Sequence, residues 1–112
     1  MAKKRYYTEI TLQDAATATG DGTTLDVAGF ESGVFQVTGT FVGTVTFEGS
    51  QDGTNWVALA LADLNSTTRA RSTTATAGGM FLLDSVGGLK MFRARISAYT
   101  SGSITVKAGR LA

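Results

Sequence analysis

Residues 43–49 read Gly43-Thr44-Val45-Thr46-Phe47-Glu48-Gly49, with apolar side chains at 45 and 47 and polar ones at 44, 46 and 48. A period of two puts Val45 and Phe47 on one side of an extended chain and the polar residues on the other, so the segment predicts a strand with one buried face. The same alternation returns in residues 89–99, where Phe92, Ala94, Ile96 and Ala98 oppose Met91, Arg93, Arg95 and Ser97. Residues 103–108 set Ile104, Val106 and Ala108 inward, and residues 32–38 project Phe35 and Val37 together. Residues 80–84 read as a short buried strand, and residues 68–76 as a polar strand with Arg69 and Arg71 on one face. Weaker signals cover residues 6–12 and 25–30, and no stretch has helical periodicity.

Turn chemistry separates these segments. Ser50-Gln51-Asp52-Gly53-Thr54-Asn55 leads into the apolar run of residues 56–61, which predicts a hairpin. Gly39 and Gly43 bound a turn that would make residues 32–38 and 43–49 antiparallel neighbours. Thr100-Ser101-Gly102 would join the last two strands in a hairpin whose outer face carries Arg93, Arg95, Thr105 and Lys107. Residues 62–68 read as a loop and Ser85-Val86-Gly87-Gly88 as a turn. The sum is about eight or nine strands, which predicts an all-β, antiparallel β-sandwich of jelly-roll-like form. An OB-type barrel, with its roughly five strands, fits less well. Residues 1–12 read as an amino-terminal arm and residues 13–112 as a single β-sandwich domain.

Composition narrows the function. A chain of 112 residues encloses one core. It has no cysteine and no histidine, which removes disulfides, thiolate nucleophiles, zinc–thiolate sites and the usual base near neutrality. Ser-His-Asp and Cys-His catalysis are excluded, so the expectation is a protein that is not an enzyme. A net charge of +1 provides no general field for nucleic acid or membrane, and neither partner is expected. No window approaches the roughly 18 apolar residues of a membrane span, and the basic start, Lys3-Lys4-Arg5-Tyr6-Tyr7, precedes no apolar h-region, so no signal peptide is read.

The remaining candidates are few. Glu48 and Asp52 are the nearest thing to a carboxylate pair, and both suit ordinary solubilising and turn-forming roles. Gln51, Asp52 and Asn55 bear oxygen but miss the calcium-loop spacing, and Gly20-Asp21-Gly22 lacks the third glycine of a phosphate loop. Asn65-Ser66-Thr67 fits a glycosylation acceptor without a secretory context. No catalytic, metal or cofactor site is expected. Arg69, Arg71, Arg93 and Arg95 have two readings: an interface, which favours arginine, or a solvated face with cross-strand pairs to residues such as Glu48. Trp56 reads either as a core or subunit contact or as a stacking platform for sugar rings, and Tyr99 is a second candidate platform.

Residues 43–57, from Gly43-Thr44-Val45-Thr46-Phe47 to Gly53-Thr54-Asn55-Trp56-Val57, and residues 92–106, from Phe92-Arg93-Ala94-Arg95 to Ile104-Thr105-Val106, resemble a β-sandwich module of tailed-bacteriophage virion proteins. The likeness runs from about residue 35 to residue 106. It implies a structural particle component made in the host cytoplasm and carried on the virion surface: a capsid decoration or cement protein, a head-fibre base or a tail accessory module. Decoration proteins of this size imply a trimer seated on the major capsid protein. On that view Lys3, Lys4, Arg5, Tyr6 and Tyr7 belong to the arm, and Arg69, Arg71, Arg93 and Arg95 face the shell or sister subunits. The alternative is a host-attachment module that binds glycan through Trp56 or Tyr99.

Overall fold

The structure, a computed structural model, describes residues 7–28, 32–84 and 89–111. Eleven strands follow one another among these residues: β1 (Tyr7–Ala16), β2 (Leu25–Asp26), β3 (Ser32–Thr38), β4 (Phe41–Ser50), β5 (Val57–Ala58), β6 (Leu61–Asp63), β7 (Arg71–Ser72), β8 (Thr74–Ala75), β9 (Gly79–Leu83), β10 (Met91–Gly102) and β11 (Ile104–Leu111). They form two antiparallel sheets, one in the order β1-β11-β3-β9-β6-β7 and the other β2-β10-β4-β5, with β8 also paired to β4. The all-β antiparallel sandwich expected from the alternation is therefore present. The count exceeds eight or nine because residues 56–61 divide into β5 and β6, one in each sheet, and residues 68–76 divide into β7 and β8.

Alternation does what period two requires. Phe35, Val37, Phe81, Leu83, Ile104, Val106 and Ala108 of the six-stranded sheet face Val45, Phe47, Phe92, Ala94 and Ile96 of the other, all buried. At the centre the Phe35 and Phe92 rings stack 4.3 Å apart, with Phe47 6.3 Å from Phe92 and 5.1 Å from Phe81. Each such pair contributes about 0.5–1.5 kcal/mol beyond the area it buries.

Two expected pairings are corrected. β3 does not pair with β4, nor β10 with β11; β3 pairs with β11 and β4 with β10, along almost their whole lengths. The glycines taken for hairpin turns are corners instead. Gly39 (φ 111°) and Gly102 (φ 88°) each carry the chain from one sheet to the other, so the four strands form one long two-stranded ribbon folded across the core. The corners nest: Ser103 N–H donates to the Thr40 carbonyl at 3.2 Å, and a Cβ on Gly39 would strike the Ser103 carbonyl as one on Gly102 would strike that of Thr40.

The amino-terminal boundary also moves. Residues 7–12 of the expected arm are part of β1, which pairs with β11 from Tyr7↔Leu111 onward and buries Leu12 in the core. Further along, Gln13 is buried and its Nε2 donates to the carbonyls of Ala94 (2.9 Å) and Gly20 (3.2 Å), tying the edge of one sheet to the other. Gly20 and Ile96 exchange backbone bonds of 3.1 and 2.8 Å, which fixes the loop after β1 alongside β10.

Candidate functional site

The outer face of the five-stranded sheet carries a network of ion pairs. Arg93 stands opposite Glu48 and Arg95 opposite Thr46 in the β4–β10 register, so the alternation that buries Phe47 and Ala94 projects these side chains outward. Arg93 Nε donates to Glu48 Oε1 at 2.8 Å, and Arg95 Nη1 to Glu48 Oε2 at 3.4 Å. The loop after β1 adds Asp21, 3.3 Å from Arg93 Nη1 and 3.7 Å from Arg95 Nε. Trp56 supplies a wall: the Arg93 guanidinium carbon lies 4.1 Å from its ring centroid.

Burial divides the network in two. The Glu48 and Arg93 side chains are only 10% and 15% exposed, whereas Arg95 and Asp21 are 42% and 61% exposed. The outer contacts are screened and contribute little, while the inner pair is a desolvated, charge-assisted hydrogen bond. Arginine stacked on tryptophan adds about 0.5–2 kcal/mol. Further along the face, Thr46 Oγ1 and Ser97 Oγ lie 2.7 Å apart. The result is a rigid, nearly neutral polar platform.

The turn before β5 positions Trp56. Asp52 accepts hydrogen bonds from Asn55 N (2.7 Å), Asn55 Nδ2 (2.8 Å), Thr54 N (2.8 Å) and Ser50 Oγ (3.1 Å), and Gly53 takes φ 77°. These donors, the Asn55 backbone first, hold the Asp52 carboxyl well below the usual carboxylate range. Beside the turn, Gly49, Val57, Leu59 and Leu89 wall an apolar cleft of about 340 Å³. Glu48 and Asp52 do not converge on it as a pair, because one is held by the arginines and the other by its own turn.

Of the residues singled out from the sequence, Trp56, Arg93 and Arg95 come together here, in the cross-strand arrangement with Glu48. Arg69 and Arg71 do not share a face. Arg69 takes φ 54° in a turn and donates to the carbonyls of Leu64 (2.7 Å) and Ser66 (3.0 Å), which breaks the period of two. Arg71 lies on β7 and forms a two-pronged pair with Asp84 at 2.9 and 3.1 Å. Their hydrogen bond raises the arginine and lowers the carboxyl from their ordinary values.

Tyr99 is remote from Trp56. A bulge between Ile96 and Ala98 reverses the alternation, so Ala98 is exposed and Tyr99 leans on the core, its hydroxyl donating to the Gly102 carbonyl at 2.6 Å. Lys3, Lys4, Arg5 and Tyr6 lie outside the described residues, and Tyr7 begins β1. Sequence reasoning missed Asp21 and Gln13. Asp21 read as turn chemistry, and only the non-local Gly20–Ile96 bridge brings it to the arginines.

The XepA family model matches residues 6–110. Two solved structures share the fold over 100% of this chain. The SPBc2 prophage-derived protein YomS does so with TM-score 0.86 and 18% identity over 98% of its own chain. The PBSX exported protein XepA does so with TM-score 0.90 and 18% identity; this chain spans only 40% of its length. No curated protein matches the sequence. Because the family's pattern runs through nearly the whole sandwich, from β1 into β11, the chain belongs to the XepA family.

Proposed function

We propose that the protein is a non-enzymatic structural component of a phage particle, a capsid decoration protein that sits as a homo-oligomer on the assembled head and cements it. The observation that carries this reading is the platform on the outer sheet face. Trp56, Arg93 and Arg95 are residue types that dominate the energetics of protein interfaces; Glu48 and Asp21 hold the two arginines in place before any partner arrives, and Arg93 lies over the Trp56 ring. Arg69, Arg71, Arg93 and Arg95 all donate within the chain, which suits a rigid building unit. Family membership and the phage origin of the two relatives support the same setting.

The experiment is a binding assay with purified heads. The wild-type protein should saturate them, and Arg95→Glu, which reverses an exposed charge of the platform, should weaken binding while the fold is retained. Equal binding by the variant removes the platform from the contact.

The glycan-binding alternative rests on Trp56. Arg93 covers one face of that ring, so a sugar would have only the other. Glycan binding abolished by Trp56→Ala, with the fold intact, would favour attachment over cementing.

A further inference from the structure

Between β7 and β8 the chain passes from one sheet to the other, and beside that crossing lies a hollow of about 210 Å³. One wall, Ala75-Thr76-Ala77-Gly78, carries only small side chains, which leaves the space open. Ala75 and Phe81, both buried, give it an apolar base. Its polar lining comes from Asp63 and Asn65 on one side and from Thr74 and Thr76 on the other. Asp63 Oδ1 accepts hydrogen bonds from Asn65 N at 2.8 Å and Asn65 Nδ2 at 3.0 Å, which fixes both side chains. Gly79 makes room for that arrangement, since a Cβ there would lie 2.5 Å from Asn65 Nδ2. The other oxygen of Asp63, the Asn65 side-chain carbonyl and the Thr74 and Thr76 hydroxyls have no hydrogen-bond partner among the described residues.

We propose that this hollow binds a neutral sugar ring. Its chemistry disfavours the other classes of small ligand. No lysine or arginine lines it, and the arginines nearest in sequence are already engaged, Arg69 by the Leu64 and Ser66 carbonyls and Arg71 by Asp84, so an anion would meet the Asp63 carboxylate without compensation. A calcium site gathers several oxygen ligands of high charge, whereas Asp63 is the single carboxylate here, and no group of three or more acids stands together among the described residues. A cationic side chain would engage the carboxylate and leave the amide and the two hydroxyls idle, and an apolar ligand would strand all four. Sugar hydroxyls both donate and accept, so they suit the acceptor-only oxygens of Asp63 and Asn65 as well as the threonine hydroxyls, while the C–H face of the ring rests on Ala75 and Phe81. The volume lies below the roughly 300 Å³ at which drug-sized sites begin, which limits the occupant to about one ring. The pocket shares no residue with the Trp56 platform, and it does not depend on where on a particle the protein sits.

The test is a titration of the full-length, ¹⁵N-labelled protein with glucose, galactose, mannose and N-acetylglucosamine, followed through its amide resonances. At least one sugar should give saturable shifts confined to residues 63–65 and 74–79, with a Kd on the order of 1 mM, the affinity open to a ligand of so few atoms. Methyl glycosides run beside the free sugars separate the two sources of such a ring: binding of both forms marks the end of a glycan, binding of the reducing form alone marks a free monosaccharide, and either supports the pocket. Asp63→Asn keeps an oxygen to hold Asn65 and turns the unpartnered one into an amide, so it should bind about tenfold more weakly. Thr76→Val, at an exposed position with no hydrogen bond to lose within the fold, should weaken binding severalfold and keeps the test decisive if Asp63→Asn folds poorly. No saturable shift from any of the four sugars, shifts centred on Trp56, or wild-type affinity in both variants overturns the proposal. So does a response of these amides to calcium chloride or lysine amide in place of the sugars.

Discussion

Replacing Glu48 by glutamine keeps the side chain's shape and removes its charge from a position where it is only 10% exposed. Arg93, 15% exposed and stacked on Trp56, then keeps its positive charge but faces a neutral amide, with only the solvated Asp21 left as an anionic partner. Removing one member of a fully buried pair costs about 3–5 kcal/mol, and a hydrogen bond to a charged group contributes about 1.5–3 kcal/mol. The pair here retains some solvent and a second anion, which places the expected loss at about 2–3 kcal/mol. For a domain of this size that lowers Tm by about 10 °C. Urea unfolding should show the loss as a lower midpoint with an unchanged m value. Asp21→Asn is the internal control: at 61% exposure its contacts are screened, and the cost should stay below about 0.5 kcal/mol. If Glu48→Gln costs no more than Asp21→Asn, the inner pair is not what braces the platform.

Three further outcomes follow from the fold. Gly39→Ala and Gly102→Ala should each destabilise by more than about 1 kcal/mol, since both positions have positive φ and a Cβ would strike a carbonyl of the opposite corner; Gly20→Ala, with open space around it, should be nearly neutral in the same urea titration. Gln13→Leu should cost about 1–3 kcal/mol by leaving the Ala94 carbonyl without its side-chain donor, read by thermal unfolding. Asp52 has a folded pKa below its usual 3.8, so its contribution is fully present above that value and fades as pH falls through the lower folded one. Asp52→Asn should therefore lower stability at neutral pH and flatten the acid limb of the stability profile below pH 3.8, and an unchanged acid limb would contradict the turn's role.

Much of the core was legible because period two needs no knowledge of partners. Val45, Phe47, Phe92, Ala94, Ile96, Ile104 and Val106 alternate with polar neighbours, and all are buried. Pairing was not legible, because a glycine that turns a hairpin and one that turns a corner between sheets satisfy the same local requirement. Gly39 and Gly102 differ from hairpin glycines only in what they meet across the molecule. Local irregularities defeated two further expectations: the left-handed φ of Arg69 separates it from Arg71, and the bulge after Ile96 turns Tyr99 toward the core. Half of the platform could be anticipated from Arg93 and Arg95 beside Glu48. Asp21 could not, since its approach depends on a loop fixed to β10 far along the chain.

The central claim, a building unit of the phage head, is tested most directly by the copy number of this protein on purified intact particles, measured by quantitative mass spectrometry. The account predicts a number of the same order as that of the major capsid protein, retained after tails are removed. Absence from the particle, or a handful of copies that leave with the tail, would contradict it.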